Sequence, residues 1–180
     1  MAEDNGSNGG QPAGNAAPGG AAPGGAAQQA PQNLGVLAQY VKDLSFESPG
    51  APQSLRERGA APAINITIDV QPGPVTNNEV EVELKVEAQA QAGEKVLFAI
   101  ELSYCGLFRL TNIPPEAVQP ILRIECPRLL FPFARQILAD ASRNGGFPPL
   151  LIDPIDFLAL YRQRLAQAQQ AAPKPPTETA

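Results

Sequence analysis

The sequence predicts an α+β domain: a four-stranded antiparallel sheet with helices packed on one face. Two observations lead there. Four segments between Tyr40 and Tyr104 alternate apolar and polar residues with a period of two, the signature of half-buried strands. After Leu110 the pattern turns helical and stays so, which places strands before helices rather than alternating with them.

The first strand covers Tyr40 to Glu47. Strict alternation would put Tyr40, Lys42, Leu44 and Phe46 on one face and Val41, Asp43, Ser45 and Glu47 on the other. In the second, Ile64, Ile66, Ile68 and Val70 oppose Asn65, Thr67 and Asp69. In the third, Val80, Val82, Leu84, Val86 and Ala88 oppose Glu79, Glu81, Glu83, Lys85 and Glu87. In the fourth, Phe98, Ile100, Leu102 and Tyr104 oppose Leu97, Ala99, Glu101 and Ser103. The stretch from Pro72-Gly73-Pro74 to Asn77-Asn78 reads as a turn, as does Ala92-Gly93, and such short connections suit antiparallel neighbours. The link from Pro49 to Pro62 is longer and holds three prolines, so it is expected to cross over something.

Pro114-Pro115-Glu116 can open a short helix through about Arg123. A second helix fits Pro127 to Asn144, stopped by Gly145-Gly146, with a late start or kink expected at Pro132. Its apolar residues Leu130, Phe131, Phe133, Ala134, Ile137, Leu138 and Ala141 spread wider than one stripe. A helix on a single sheet needs only one stripe, so Phe133, Ile137 and Ala141 are expected to meet other subunits. Phe147 to Ile152 is apolar and proline-rich, hence extended. A last helix fits with Asp153 as N-cap and Pro154 at its first position, ending in Arg162 and Arg164 near the negative end of the dipole.

Composition divides the chain into three. Residues 1–33 are Gly, Ala, Pro, Asn and Gln with almost no large apolar side chain, and residues 166–180 are similar. Both are expected to be flexible, because they cannot bury enough surface to offset their ordering entropy. Residues 34–165 remain, about 130 residues, a common size for one domain.

The net charge of −5 disfavours nucleic acid and favours a basic partner or simple solubility. There is no histidine, which removes the commonest general base and metal ligand, and no phosphate loop or nucleophile elbow appears. The reading is therefore not an enzyme, with no cofactor and no metal. No secretory signal and no apolar run long enough to span a bilayer is seen, and Cys105 and Cys126 fit no zinc or redox spacing. A reduced, cytoplasmic protein without direct membrane insertion is expected.

One stretch carries more than its periodicity: Tyr40-Val41-Lys42-Asp43-Leu44-Ser45-Phe46-Glu47-Ser48-Pro49-Gly50-Ala51-Pro52. It resembles the opening strand of the SecB protein-export chaperones. Cys105-Gly106-Leu107-Phe108, Cys126-Pro127, Leu130-Phe131-Pro132-Phe133-Ala134-Arg135, Gly146-Phe147-Pro148 and Pro154-Ile155-Asp156-Phe157 follow in the same family order. The resemblance spans roughly Leu34 to Leu165. It implies a homotetramer, a dimer of dimers with the long helices between two sheets. It also implies a chaperone that binds unfolded precursor proteins in the cytoplasm, keeps them translocation-competent and delivers them to the SecA motor.

The same resemblance assigns roles by position. Asp43, Glu47 and Glu101 match the acidic surface that docks the basic zinc-binding tail of SecA. Ala99 stands where the family usually has a larger apolar residue. The implied client groove lies between the last helix, the crossover loop and the sheet, with Phe46, Leu55, Phe147, Leu150, Ile155, Phe157 and Tyr161 as candidate lining. Taken alone, without the resemblance, the acidic residues read as a solvated sheet face and the apolar ones as core. A chaperone dedicated to one toxin–antitoxin partner and a non-chaperone oligomeric adaptor are the alternatives.

Overall fold

The computed structural model describes residues 32–56 and 61–171, so most of the two low-complexity ends lies outside the described residues. The elements are β1 (Asn33–Glu47), α1 (Gln53–Arg56), β2 (Ala63–Pro72), β3 (Glu79–Ala92), β4 (Lys95–Thr111), α2 (Pro115–Pro120), a π-helical turn (Ile121–Glu125), α3 (Cys126–Asn144) and α4 (Phe157–Ala171). The four strands form one antiparallel sheet in the order β1-β4-β3-β2. The two edge strands are consecutive in sequence. This explains the long link between them, which must pass from one edge of the sheet to the other.

The core lies on one face of the sheet. The apolar phase of β3 (Val80, Val82, Leu84, Val86) and of β4 (Phe98, Ile100, Leu102, Tyr104) is buried there, as expected from alternation. α3 packs onto β3 and β4, contributing Leu130, Phe131, Ala134 and Leu138 to the same cluster. Gly106 in β4 shows how close the approach is. A Cβ there would stand 2.6 Å from the Phe108 ring and 2.7 Å from Leu130, so only glycine lets α3 settle on the strand.

β1 departs from strict alternation. Two bulges interrupt it, between Val36 and Ala38 and between Val41 and Asp43. Each extra residue moves the following side chains to the opposite face. Tyr40 pairs with Cys105 and Lys42 bonds Glu81, so both face away from the helices, whereas Leu44 pairs with Leu102 and Phe46 with Ile100, on the core side. The expected grouping of Tyr40 and Lys42 with Leu44 and Phe46 is therefore corrected. Asp43, Ser45 and Glu47 keep their common face, because all three follow the second bulge.

The helices also differ from expectation at their starts. α3 begins at Cys126, running on from the π-helical turn, and accommodates Pro132 inside. The late start anticipated at Pro132 is not seen. α4 begins at Phe157, and its cap is Asp156, whose carboxylate accepts the Ala159 N–H at 3.0 Å, rather than Asp153. Ile152 is buried in the core, and that anchorage keeps the segment before Asp156 extended. α4 continues to Ala171, past the expected boundary at Leu165, through a Gln- and Ala-rich stretch of good helix formers.

Candidate functional site

Three surfaces on this scaffold carry residues singled out above. The first is an apolar cavity of about 590 Å³ beneath the crossover loop, at the end of the sheet where the chain leaves α3. Leu55, Phe98, Phe147, Leu150 and Leu151 line it, together with Ile64 of β2. Phe46, Phe98 and Phe147 form a ring cluster beside it, with centroids 5.9, 6.4 and 4.8 Å apart. Gly145 makes this cluster fit: a Cβ at that position would lie 2.0 Å from the Phe46 ring. Its φ of −72° is ordinary, so the requirement is for space, while Gly146 beside it, at φ 88°, supplies the left-handed turn that ends α3.

The predicted lining divides accordingly. Leu55, Phe147 and Leu150 line the cavity, and Phe46 joins through its ring contacts. Phe157 lies in the core, buried edge-on against Phe131, with ring centroids 5.9 Å apart. Ile155 and Tyr161 are half-buried against that core and do not line the cavity. Sequence reasoning missed Leu151, which is 69% exposed, as well as Ile64, Phe98 and Leu97. The alternation that marks Phe98 as a core residue was correct. It gave no sign that the same ring also fronts a cavity.

The second surface is the outer face of the sheet. Asp43 sits opposite Ser103, Ser45 opposite Glu101, and Glu47 opposite Ala99, so Asp43, Glu47, Ala99 and Glu101 share one face across two neighbouring strands. Glu87 adds a fourth carboxylate directly opposite Glu101 on β3. Asp43, Glu47 and Glu101 are exposed, and Ala99 is half-buried.

The other end of this face is neutralised. Arg109 pairs with Glu79 at 2.6 Å, and Lys42 reaches Glu81 at 2.8 Å and Glu83 at 3.4 Å. Among the described residues, Asp43, Glu47, Glu87 and Glu101 have no ion-pair partner, so the negative potential concentrates at their end.

On the neutralised end, the possible ligand atoms of Glu81, Glu83 and Cys105 lie within 4.8 Å of one another. Lys42 already supplies the positive charge. Its hydrogen bond to Glu81 raises the ammonium above its usual range, and the same bond holds the Glu81 carboxyl below its own. Burial pushes the Cys105 thiol up to about 12, so it stays protonated and poorly nucleophilic. Cys126 is likewise pushed to about 12, by burial and then by Glu125. Both cysteines are free thiols.

The third surface is on α3. Leu129, Phe133, Ile137 and Ala141 recur every fourth residue and so form one ridge. Phe133 is 53% exposed, Leu129 is exposed, and Ile137 and Ala141 are half-buried. Phe133 stacks on Tyr104 at 6.4 Å. Val36, Val41 and Leu44 on β1 are exposed as well. No described helix is long and apolar enough to cross a membrane.

Comparison with known proteins places the sequence in one family. The family model of SecB, preprotein translocase subunit SecB, matches residues 27–168. A relative from Sinorhizobium fredii, named protein-export protein SecB, is 59% identical over 81% of this chain and 87% of its own. Another of the same name, from Rhodopseudomonas palustris strain BisB5, is 57% identical over 89% of this chain and 98% of its own. Among solved structures, a Mycobacterium tuberculosis SecB-like chaperone in complex with a ChAD peptide from an antitoxin shares the fold, with a TM-score of 0.53. It is 14% identical and covers 68% of this chain and 90% of that one.

Proposed function

Since the chain belongs to the SecB family, preprotein translocase subunit SecB, we propose that it is a protein-export chaperone that captures unfolded precursor polypeptides. The observation that carries this reading is the apolar cavity under the crossover loop. It presents exposed Leu55 and Leu151 beside an aromatic cluster, and its lining holds few groups able to demand a particular partner. Such a surface suits clients that share no sequence. Unfolded chains expose apolar side chains that folding would hide, so capture and folding compete for the same segments. No nucleotide is needed for this step. The client remains unfolded while held, which is the state a translocation channel requires.

Two further parts complete the proposed cycle, which would take place in the cytoplasm. The unpaired acidic end of the outer face, with Asp43, Glu47, Ala99 and Glu101, would dock the basic tail of the SecA motor. Charges spread over exposed strands attract a basic partner from a distance and speed its encounter. The α3 ridge of Phe133, Ile137 and Ala141 would meet its counterparts in other subunits to form a dimer of dimers. Covering an apolar ridge with a symmetric copy of itself is the ordinary solution for homo-oligomers. Export clients are favoured over a single dedicated partner because relatives named for protein export are 53–59% identical, whereas the antitoxin-peptide complex is a 14% identical neighbour. Light scattering by a diluted, aggregation-prone precursor is the test. The full chain should suppress scattering without nucleotide, and undiminished scattering would refute the reading.

A further inference from the structure

Consecutive residues of a strand normally face opposite sides of its sheet, yet Lys42 and Asp43 of β1 both face outward. The second bulge is the reason. Val41 pairs with Tyr104 on the core side and Asp43 with Ser103 on the outer side, which leaves Lys42 as the extra residue between them. An ammonium and a carboxylate one residue apart on one exposed face attract each other. They are nevertheless not paired: among the described residues, Asp43 has no ion-pair partner.

The ammonium is held elsewhere. Lys42 Nζ donates to Glu81 Oε1 at 2.8 Å and to Glu83 Oε2 at 3.4 Å, reaching across β4 to β3. Tyr40 and Cys105 flank the same Glu81 carboxylate. The other Glu83 oxygen stands 3.9 Å from Lys85 Nζ. Lys85 lies two residues before Glu87 on the outer phase of β3, so it too borders the unpaired carboxylates. Two glutamates thus draw both lysines toward the neutralised end of the face. Stability does not account for the arrangement. The Lys42 side chain is 48% exposed and that of Glu81 38%, and an ion pair so exposed contributes little to folding.

We propose that Glu81 and Glu83 are positioning residues for the acidic docking surface: by holding Lys42 and Lys85, they keep Asp43 and Glu87 open to a basic partner. Released from them, Lys42 would turn to its neighbour Asp43 and compete with the partner's cations for that carboxylate. A carboxylate already paired offers an incoming lysine or arginine less charge and fewer free lone pairs. In this role the two glutamates act through Lys42 and need not touch the partner. The inference rests on the docking reading above and adds to it the residues that keep one end of the face unneutralised.

Calorimetric titration of a basic SecA-tail peptide into the full chain tests it. E81Q/E83Q should bind the peptide about three- to fivefold more weakly, the upper part of what one exposed ion pair contributes. Loss of two negative charges would by itself weaken binding, so the deciding variant is K42M. It should strengthen binding at least about threefold in the E81Q/E83Q background, and less than about 1.5-fold in the original one. A crystal structure of E81Q/E83Q should show Lys42 Nζ within about 4 Å of an Asp43 carboxylate oxygen. Equal effects of K42M in the two backgrounds, or a Lys42 that stays turned away from Asp43 in E81Q/E83Q, would overturn the inference and leave the docking reading standing. An original chain that does not bind the peptide would overturn both.

Discussion

Leu150 and Leu151 are neighbours in sequence with opposite environments, and replacing each with alanine should separate folding from capture. Leu150 is 2% exposed, and its N–H donates to Ser142 Oγ at 2.8 Å. Removing that buried side chain should cost about 2–5 kcal/mol of stability. Leu151 is 69% exposed, so its truncation should leave stability within about 0.5 kcal/mol. Its contribution comes when a client covers it. Complete burial of a leucine contributes about 1.5–3 kcal/mol, and about two-thirds of this side chain still faces water, which leaves up to about 1–2 kcal/mol for binding. That corresponds to roughly a 5- to 30-fold loss of affinity in L151A. Urea unfolding and a titrated aggregation-suppression assay should be run on both variants. L151A should unfold at the original midpoint and suppress scattering only at higher concentration, whereas L150A should show a lowered midpoint. An L151A chain that suppresses aggregation as well as the original would refute the placement of the groove.

Other surfaces give sharper single readouts. F133D should place a charge in the middle of the α3 ridge, and sedimentation should show smaller species than the original chain, because an unpaired charge in an apolar interface is strongly unfavourable. D43K/E47K should weaken binding of a basic SecA-tail peptide in calorimetry while client capture is retained. Each exposed pair contributes only about 0.2–1 kcal/mol, so the joint change matters more than either alone. Added salt should weaken the same binding in the unsubstituted chain, since screening acts over about 8–10 Å. Alkaline pH should destabilise the fold. Burial holds Cys105 and Cys126 near 12 against an ordinary 9.0, and Lys42 is raised above 10.5. The native chain therefore keeps protons that the unfolded chain releases, and stability present below pH 9 should be lost as pH rises toward 12. A urea midpoint unchanged between pH 7 and about 10.5 would contradict this.

The four strands, the long helix α3 and most of their faces were legible in the residues alone, whereas the short helix α1 and the first seven residues of β1 were not. Alternation in β3 and β4 is a local property, and a buried valine or leucine every second residue can face only one core. The strands-then-helices order set the fold class for the same reason. The shared face of Asp43 and Glu47 was also legible, because both lie after the second bulge and their spacing is unaffected by it. Features that depend on a neighbour distant in the chain were not legible there. The bulges in β1 move Tyr40 and Lys42 to the outer face, where Lys42 meets Glu81 and Glu83; no pattern in residues 36–43 marks them, because a bulge is fixed by register against β4. Asp156 rather than Asp153 caps α4, since burial of Ile152 holds the preceding segment extended. Leu150 and Leu151 are chemically identical, and only the packing of their segment under the crossover loop sends one inward and leaves the other in water. Apolar character says that a side chain will seek burial; whether its own chain or another supplies the cover is settled by the space left over once the sheet and α3 have packed.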